Sequence, residues 1–169
     1  NEWIGFCQYR KFWSLENKDI KYQNLDELKK NIIKEIPDDH KHYESILGEP
    51  FYINKFKLSK LIKKGFIKIL KNPSFLFYKK KRNIKFHFDL MHGEGNLDKA
   101  ISLLDKKDKT DFSDFVNSET SFNPHNMFLC NSPIILEKYY NSIFPWLIRC
   151  EKEFGFDLKG YGLKRIYGF

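Results

Sequence analysis

Residues 84–96 constrain the predicted fold more than any other segment does, because three local sequence patterns follow one another there. The first half alternates apolar and polar residues, which predicts a strand with one buried face. Its apolar positions are Phe86, Phe88 and Leu90. Gly93 and Gly95 then permit backbone conformations closed to other residues, and Asn96 is a suitable N-cap for a helix. The inner face of that helix is predicted to be Leu97, Ala100, Ile101 and Leu104. The segment therefore predicts a strand, a glycine loop and a helix in succession.

The same segment concentrates acid-base side chains more densely than any other part of the chain. They are His87, Asp89, His92 and Glu94. A strand that ends in a glycine loop places polar groups at the mouth of a cleft, so we predict a catalytic or substrate-binding loop. One alternative is a structural hydrogen-bond cluster in which the glycines only serve the turn. Another is a metal site, since His and carboxylate groups suit zinc or manganese, although His-x-Asp-x-x-His matches no strict ligand spacing.

Composition indicates a folded protein. The chain has 169 residues, 41% of them hydrophobic and 17% aromatic, which is enough for one domain with a core and excludes overall disorder. No apolar run approaches the ~20 residues of a membrane-spanning helix, and no secretory signal is present. Cys7, Cys130 and Cys150 are odd in number and lack CxxC spacing, so we expect reduced core cysteines in a cytoplasmic protein. Without repeats or linkers, one domain over residues 1–169 is predicted.

Positive charge is concentrated in one segment. Residues 55–85 carry twelve Lys and Arg and no acidic residue, whereas the whole chain has a net charge of +8. Solvated lysines are the ordinary explanation, and contact with an anionic membrane is the alternative. The lysines available for that contact are Lys60, Lys63, Lys64, Lys68, Lys79, Lys80 and Lys81. No nucleic acid partner is expected, because the aromatic residues of this segment fall on an apolar helix face.

A second polar cluster follows the first predicted strand, Trp3–Cys7. It is the run Gln8-Tyr9-Arg10-Lys11. Polar groups at the carboxyl end of a buried strand are where α/β folds place ligands. The alternative is an edge strand that continues into a cationic surface turn.

The remaining elements follow from local signals. Helices are predicted at 24–36, 59–71, 106–118 and 133–154, and strands at 45–53 and before Cys130. Asn24 and Glu27 resemble a capping box, and Pro145 must kink or split the last helix. His125 and Asn126 precede the last strand, which suggests the lip of a site; a satisfied turn is the alternative.

Three stretches together resemble a known family. They are Ile4–Phe12, Phe122–Leu129 with Asn126-Met127-Phe128, and Arg165–Phe169. In this order they are similar to a bacterial family catalogued as a domain of unknown function and labelled capsular or exopolysaccharide biosynthesis glycosyltransferase. Members have a further amino-terminal strand and helix and continue past the last motif, so the resemblance implies a fragment.

The resemblance implies a GT-A-like α/β fold, a mixed sheet flanked by helices, with an incomplete nucleotide-binding half. The family has His-Tyr-Arg-Arg where this chain has Gln8–Lys11, and the Asp-x-Asp that GT-A transferases use to hold a metal is absent from the sequence. Arg10 and Lys11 are therefore expected to bind the donor diphosphate directly, since a guanidinium makes bidentate contacts with phosphate oxygens. Tyr9 and Gln8 are assigned to sugar or base contacts.

The predicted function is transfer of a sugar from a nucleotide-sugar donor to a surface polysaccharide or lipid-linked glycan, at the inner face of the cell membrane. Asp89 is the first choice of base, with His87, His92 and Glu94 as rivals, and His125 and Asn126 would contact sugar hydroxyls. No cofactor is assigned, and a role for Mn²⁺ or Mg²⁺ stays open. Two alternatives are a non-enzymatic basic peripheral module that binds anionic membrane or nucleic acid through residues 55–85 and a metal-dependent hydrolase that uses His87, Asp89 and His92.

Overall fold

The computed structural model describes residues 2–7, 11–14, 23–53, 66, 69–70, 73–157 and 159. The chain divides into two compact units. The first unit is Asn1–Glu49 with Asn123–Leu136, and the second is Pro50–Phe122 with Glu137–Phe169. This division does not test the prediction of one domain over residues 1–169, which stays a prediction.

Helices and short strands alternate along the described chain, which confirms the α/β class. In chain order they are β1 (Ile4–Gly5), α1 (Leu25–Asn31), β2 (Ser45–Leu47), β3 (Phe51–Tyr52), α2 (Ser74–Phe77), α3 (Ile84–His92), α4 (Asn96–Ser102), α5 (Lys106–Ser118), β4 (Ser121–Phe122), β5 (Phe128–Cys130) and α6 (Pro133–Phe154). Single 3₁₀ turns occupy Asp38–His40, Lys79–Lys81 and Pro124–Asn126. Within the described ranges, none of these helices is both long enough and apolar enough to cross a membrane. The GT-A-like arrangement stays a prediction.

The first unit is built on a three-stranded antiparallel sheet in the order β1-β5-β2. The central strand β5 is fully buried, as predicted for the strand that ends at Cys130. β1 lies at an edge and its Ile4 is 48% exposed, so the edge-strand alternative for this segment is confirmed. Cys7 follows this edge and is exposed, so its prediction as a core cysteine was wrong; Cys130 and Cys150 are buried.

Helix α1 begins as predicted and ends early. The side chain of Asn24 accepts hydrogen bonds from the amides of Asp26 and Glu27, at 3.1 and 3.0 Å. The carboxylate of Glu27 in turn accepts from the amide of Gln23 at 2.9 Å, which is a variant of the predicted capping box. The helix ends at Asn31, short of the predicted Ile36, since Ile32 is already extended.

In the second unit, residues 84–92 form helix α3, and the predicted strand is wrong. Phe88 packs with Ile84 into one apolar cluster that includes Leu97, Ile101 and Val116. Phe86 packs with Leu90 into a different cluster, around Ile69 and Phe75. The apparent alternation is therefore two interleaved i,i+4 rows on a helix that is buried on both sides. The Asn83 side chain caps this helix by accepting from the Phe86 amide at 2.9 Å.

Helix α4 follows the glycine loop as predicted. Its N-cap is Gly95, at φ 81°, and the predicted cap Asn96 is its first residue instead. The predicted inner positions Leu97, Ala100 and Ile101 are buried. The loop and the helix after it were thus correctly predicted, although the element before them was not.

Helix α6 is continuous through Pro145, so the alternative in which proline splits it is wrong. In the second unit the Trp146 indole donates to the Ala100 carbonyl at 2.8 Å, and Arg149 Nε donates to the Leu103 carbonyl at 2.6 Å. These bonds tie α6 to the end of α4. Burial raises the pKa of the Cys150 thiol to about 11, against the smaller opposing effect of Arg149, so this cysteine is an unreactive core residue.

The two-sided burial of α3 predicts a large stability difference between two phenylalanines. Phe88→Ala should lower the free energy of unfolding by about 3–5 kcal/mol, the usual loss for a buried Phe truncated to Ala. Phe77→Ala, at a position that is 77% exposed, should change it by less than about 0.5 kcal/mol. Urea denaturation of both variants measures this difference, and equal midpoints would contradict the packing described for α3.

Candidate functional site

The predicted donor motif lies only partly within the described chain. Gln8, Tyr9 and Arg10 fall outside the described residues, and Lys11 is exposed. Trp13, two residues after Lys11, is half-buried. The described residues on the two sides of the motif are 2–7 and 11–14.

A pocket of about 400 Å³ lies in the first unit. Its lining comes from both sides of the motif and from the segment after α1. The lining residues are Trp3, Gly5, Trp13, Ile33, Lys34, Glu35, Ile36, Lys41 and Leu129. Small-molecule sites are usually mostly apolar clefts of ~300–1,000 Å³ with a few polar groups, and this pocket has that size and composition.

Two hydrogen bonds fix Trp13 in the pocket wall. Its indole Nε1 donates to the Phe6 carbonyl at 3.2 Å, and its own carbonyl accepts from the Ile33 amide at 2.9 Å. The floor is closed by Gly5, where a Cβ atom would lie only 2.9 Å from Leu129 Cδ2. Glycine at this position therefore lets β1 approach the central strand closely, and a larger residue would force Leu129 to move.

The charged lining of the pocket consists of two ammonium groups, from Lys34 and Lys41, and one carboxylate, from Glu35. Lys34, Glu35 and Lys41 are all exposed. Lys41 Nζ pairs with Asp38 Oδ1 at 2.6 Å. The hydrogen bond and the negative charge of Asp38 raise the pKa of Lys41 above its ordinary value, so this lysine stays charged. Two aromatic rings can stack against a ligand with a flat ring, and two ammonium groups can meet a phosphate chain, although Glu35 and Asp38 offset the charge of the two lysines.

In the second unit, the predicted acid-base segment has a different geometry from the one expected. His87 and Asp89 lie two residues apart on helix α3, and side chains with this spacing do not face one another. The expectation that both point into one cleft is therefore wrong. The His87 ring lies 6.3 Å from the Phe51 ring, and the His92 ring lies 4.6 Å from the Phe88 ring. Glu94 is exposed in the glycine loop.

Asp89 makes the contacts expected of a residue that braces this loop. One carboxylate oxygen accepts from the Gly95 amide at 3.3 Å, and the other pairs with Lys85 Nζ at 3.2 Å. Only 8% of its side chain is exposed. Lys85 also pairs with Asp98 at 2.6 Å. Burial opposes the charge on Lys85, but the hydrogen bonds with Asp98 and Asp89 outweigh it and raise the pKa of Lys85.

The remaining predicted residues belong to the first unit. His125 and Asn126 lie in the 3₁₀ turn before β5, and Asn126 has a φ of 52°. The neighbouring Asn123 donates from Nδ2 to the Gly48 carbonyl at 2.5 Å, which anchors the turn to the end of β2. A left-handed Asn stabilised in this way is compatible both with a site lip and with a simple turn.

The described residues offer no group of three or more His, Cys, Asp and Glu side chains that could hold a metal ion. His87, Asp89 and His92 in particular do not form such a group. A role for Mn²⁺ or Mg²⁺ stays a prediction, because such an ion can also be held by one or two carboxylates together with the phosphates of a substrate.

The pocket lining was the feature that sequence reasoning missed. Lys34, Glu35 and Lys41 follow α1 in the sequence, and the neighbouring Ile33 amide is bonded to the Trp13 carbonyl in the pocket wall. A usable signal was present in the two tryptophans, Trp3 and Trp13, that flank the predicted donor motif.

The bracing contacts of Asp89 predict a stability effect for its amide variant. Asp89→Asn should lower the free energy of unfolding by about 1–3 kcal/mol, because a largely buried charged hydrogen bond with Lys85 is weakened. Asp98→Asn removes the other partner of Lys85, but its side chain is 57% exposed, so the loss should stay below about 1 kcal/mol. Thermal unfolding of both variants tests this order, and a melting temperature for Asp89→Asn equal to that of the wild type would exclude the bracing role.

Comparison with known proteins gives one match. The whole chain, residues 1–169, matches the family described as "Domain of unknown function (DUF4422)". No curated protein and no solved structure matches the chain. Since the match covers every residue, the chain belongs to the DUF4422 family.

Proposed function

We propose that the chain is a glycosyltransferase that moves a sugar from a nucleotide-sugar donor to a capsule, exopolysaccharide or lipopolysaccharide acceptor. The observation that carries this proposal is the pocket of the first unit, with its two tryptophans and two lysines beside the Gln8–Lys11 motif. The resemblance of the sequence to polysaccharide-biosynthesis transferases supports the same reaction class, and a GT-A-like fold is part of the proposal.

The donor would occupy the pocket in a defined way. Trp3 and Trp13 offer aromatic faces on which the nucleobase or the sugar ring would stack. Lys34 and Lys41 are placed to meet the diphosphate, and Arg10 and Lys11 add charge from the adjoining motif. These cations would stabilise the negative charge that develops on the departing diphosphate, a role that a metal fills in other transferases.

Transfer also needs a base for the acceptor. A bond forms between the acceptor oxygen and the anomeric carbon, the bond from that carbon to the diphosphate breaks, and the acceptor proton passes to the base. Asp89 is already engaged by Gly95 and Lys85, which favours a bracing role over proton transfer. Glu94, His87 and His92 stay candidates for the base, and His125 and Asn126 stay candidates for sugar contacts.

The acceptor would be a glycan or a lipid-linked glycan, reached from the cytoplasmic face of the membrane. Lys80 and Lys81 are exposed in the second unit, which is what a contact with anionic lipid requires. Lys60, Lys63, Lys64 and Lys68, proposed for the same contact, lie outside the described residues. The exposure of Lys80 and Lys81 also favours a second candidate function, that of a basic module that binds a membrane without catalysing a reaction.

Tryptophan fluorescence tests the donor pocket directly. UDP-glucose, UDP-galactose and GDP-mannose should be titrated into the full chain, since ligand stacking on Trp3 or Trp13 changes their emission. Trp146 is buried in the second unit and provides a constant background. Lys34→Met should weaken the binding of the best nucleotide sugar by about tenfold, the scale of a charged hydrogen bond.

Lys30→Met is the matched control, because Lys30 is an exposed lysine in the last turn of α1, four residues before Lys34, and it does not line the pocket. Its affinity for the nucleotide sugar should equal that of the wild type. Equal affinities for all three proteins, or no fluorescence response to any nucleotide sugar, would contradict the proposed donor site. Release of free nucleotide diphosphate from the bound donor would then distinguish a transferase from a protein that only binds it.

A further inference from the structure

Arg82 is a buried residue whose guanidinium Nε has no hydrogen-bond partner among the described residues. Its side chain belongs to a residue that is 7% exposed. Among the described residues, Arg82 Nε is the only buried side-chain nitrogen or oxygen that has no hydrogen-bond partner. The ion pairs of the described chain do not include Arg82. Burying a charge that is neither paired nor hydrogen-bonded is strongly unfavourable, so such a group in a folded protein calls for an explanation.

The surroundings of Arg82 increase this cost. It directly follows the 3₁₀ turn Lys79–Lys81, and Lys80 and Lys81 are exposed. Lys81 Nζ is held in place by a 2.9 Å hydrogen bond to Ser74 Oγ, and it lies 5.5 Å from the centre of the Tyr78 ring. The first turn of α3 contains no acidic residue. Positive charge therefore accumulates here without any neighbouring carboxylate on the same elements.

The start of helix α3 adds to the positive potential. Arg82 immediately precedes the N-cap Asn83, where the helix dipole presents its positive end. Two amides of the first turn are already used: Phe86 N–H donates to the Asn83 side chain, and Ile84 N–H donates to the Glu119 carbonyl. An anion at this place would thus depend on the guanidinium and the lysines more than on the helix amides.

We propose that Arg82, with Lys80 and Lys81, forms a binding site for a phosphate group. A guanidinium binds phosphate oxygens through two parallel hydrogen bonds, which would satisfy the orphaned Nε and neutralise the buried charge together. The site belongs to the second unit, whereas the donor pocket belongs to the first, so it does not depend on that pocket. Its lipid form rests on the membrane contact proposed above for Lys80 and Lys81. The phosphate comes either from a free phosphate compound or from a lipid headgroup.

Calorimetric titration of the full chain with inorganic phosphate and pyrophosphate, at constant ionic strength, tests this site. The variant Arg82→Met keeps the buried stem but removes the guanidinium, and it should weaken phosphate binding by about tenfold or more. Lys80→Met removes the same charge from an exposed neighbour and should weaken binding less. In the absence of phosphate, Arg82→Met should melt no lower than the wild type, because an unpaired buried charge has been removed.

Vesicle co-sedimentation separates the two sources of phosphate. If the ligand is a lipid headgroup, vesicles of phosphatidylcholine with phosphatidylglycerol should bind the wild type, phosphatidylcholine alone should not, and Arg82→Met should lose most of the binding. If it is a free compound, only the calorimetric arm responds to Arg82→Met. The proposal is overturned if Arg82→Met binds the phosphate probes and the vesicles as tightly as the wild type does, or if neither probe binds the wild type. Arg82→Lys provides the same comparison should the Met variant not fold, because it keeps the charge and loses the bidentate contact.

Discussion

The pocket of the first unit depends on Trp13, which joins two segments that are distant in the sequence. Its indole donates to the Phe6 carbonyl beyond β1, and its carbonyl accepts from the Ile33 amide beyond α1. Both bonds satisfy backbone groups at the ends of elements, where intrahelical or ladder partners are missing. With both ends of the residue held, the ring is fixed in the wall, and residues 33–36 are brought to the pocket.

The distance in sequence over which each signal acts explains which parts of the fold could be predicted. The cap of α1 at Asn24, the bounds of α5 and the inner face of α4 follow from signals within a few residues, and all three were correctly predicted. The length of α1 was not, because the amide of Ile33 is taken by Trp13 and no local signal records that bond.

The error at residues 84–92 has a different physical origin. Phenylalanines at alternate positions fit a strand with one buried face, and they equally fit a helix that is buried on two faces. Phe86 and Phe88 enter separate apolar clusters, and only the distant partners of those clusters distinguish the two possibilities. The cap Asn83 was the one local clue, since its side chain accepts from the Phe86 amide.

The change from strand to helix also alters the chemistry of that segment. As a strand it would have directed His87 and Asp89 to one side; as a helix it separates them and leaves Asp89 to Gly95 and Lys85. The pocket of the first unit, by contrast, is lined by Trp3, Gly5 and Trp13, which flank the predicted donor motif in the sequence. Lys11 is not among the lining residues, and Lys34 and Lys41, which follow α1, were not predicted from the sequence.

Hydrogen–deuterium exchange on the full chain, with and without a saturating nucleotide sugar, tests the central claim most directly. The account predicts slower exchange in residues 11–14 and 33–36, where the pocket wall is held by the bond between Trp13 and Ile33. Residues 106–118 of the second unit should exchange at the same rate in both samples. Protection confined to the second unit, with no change in residues 11–14 and 33–36, would contradict the placement of the donor in the pocket.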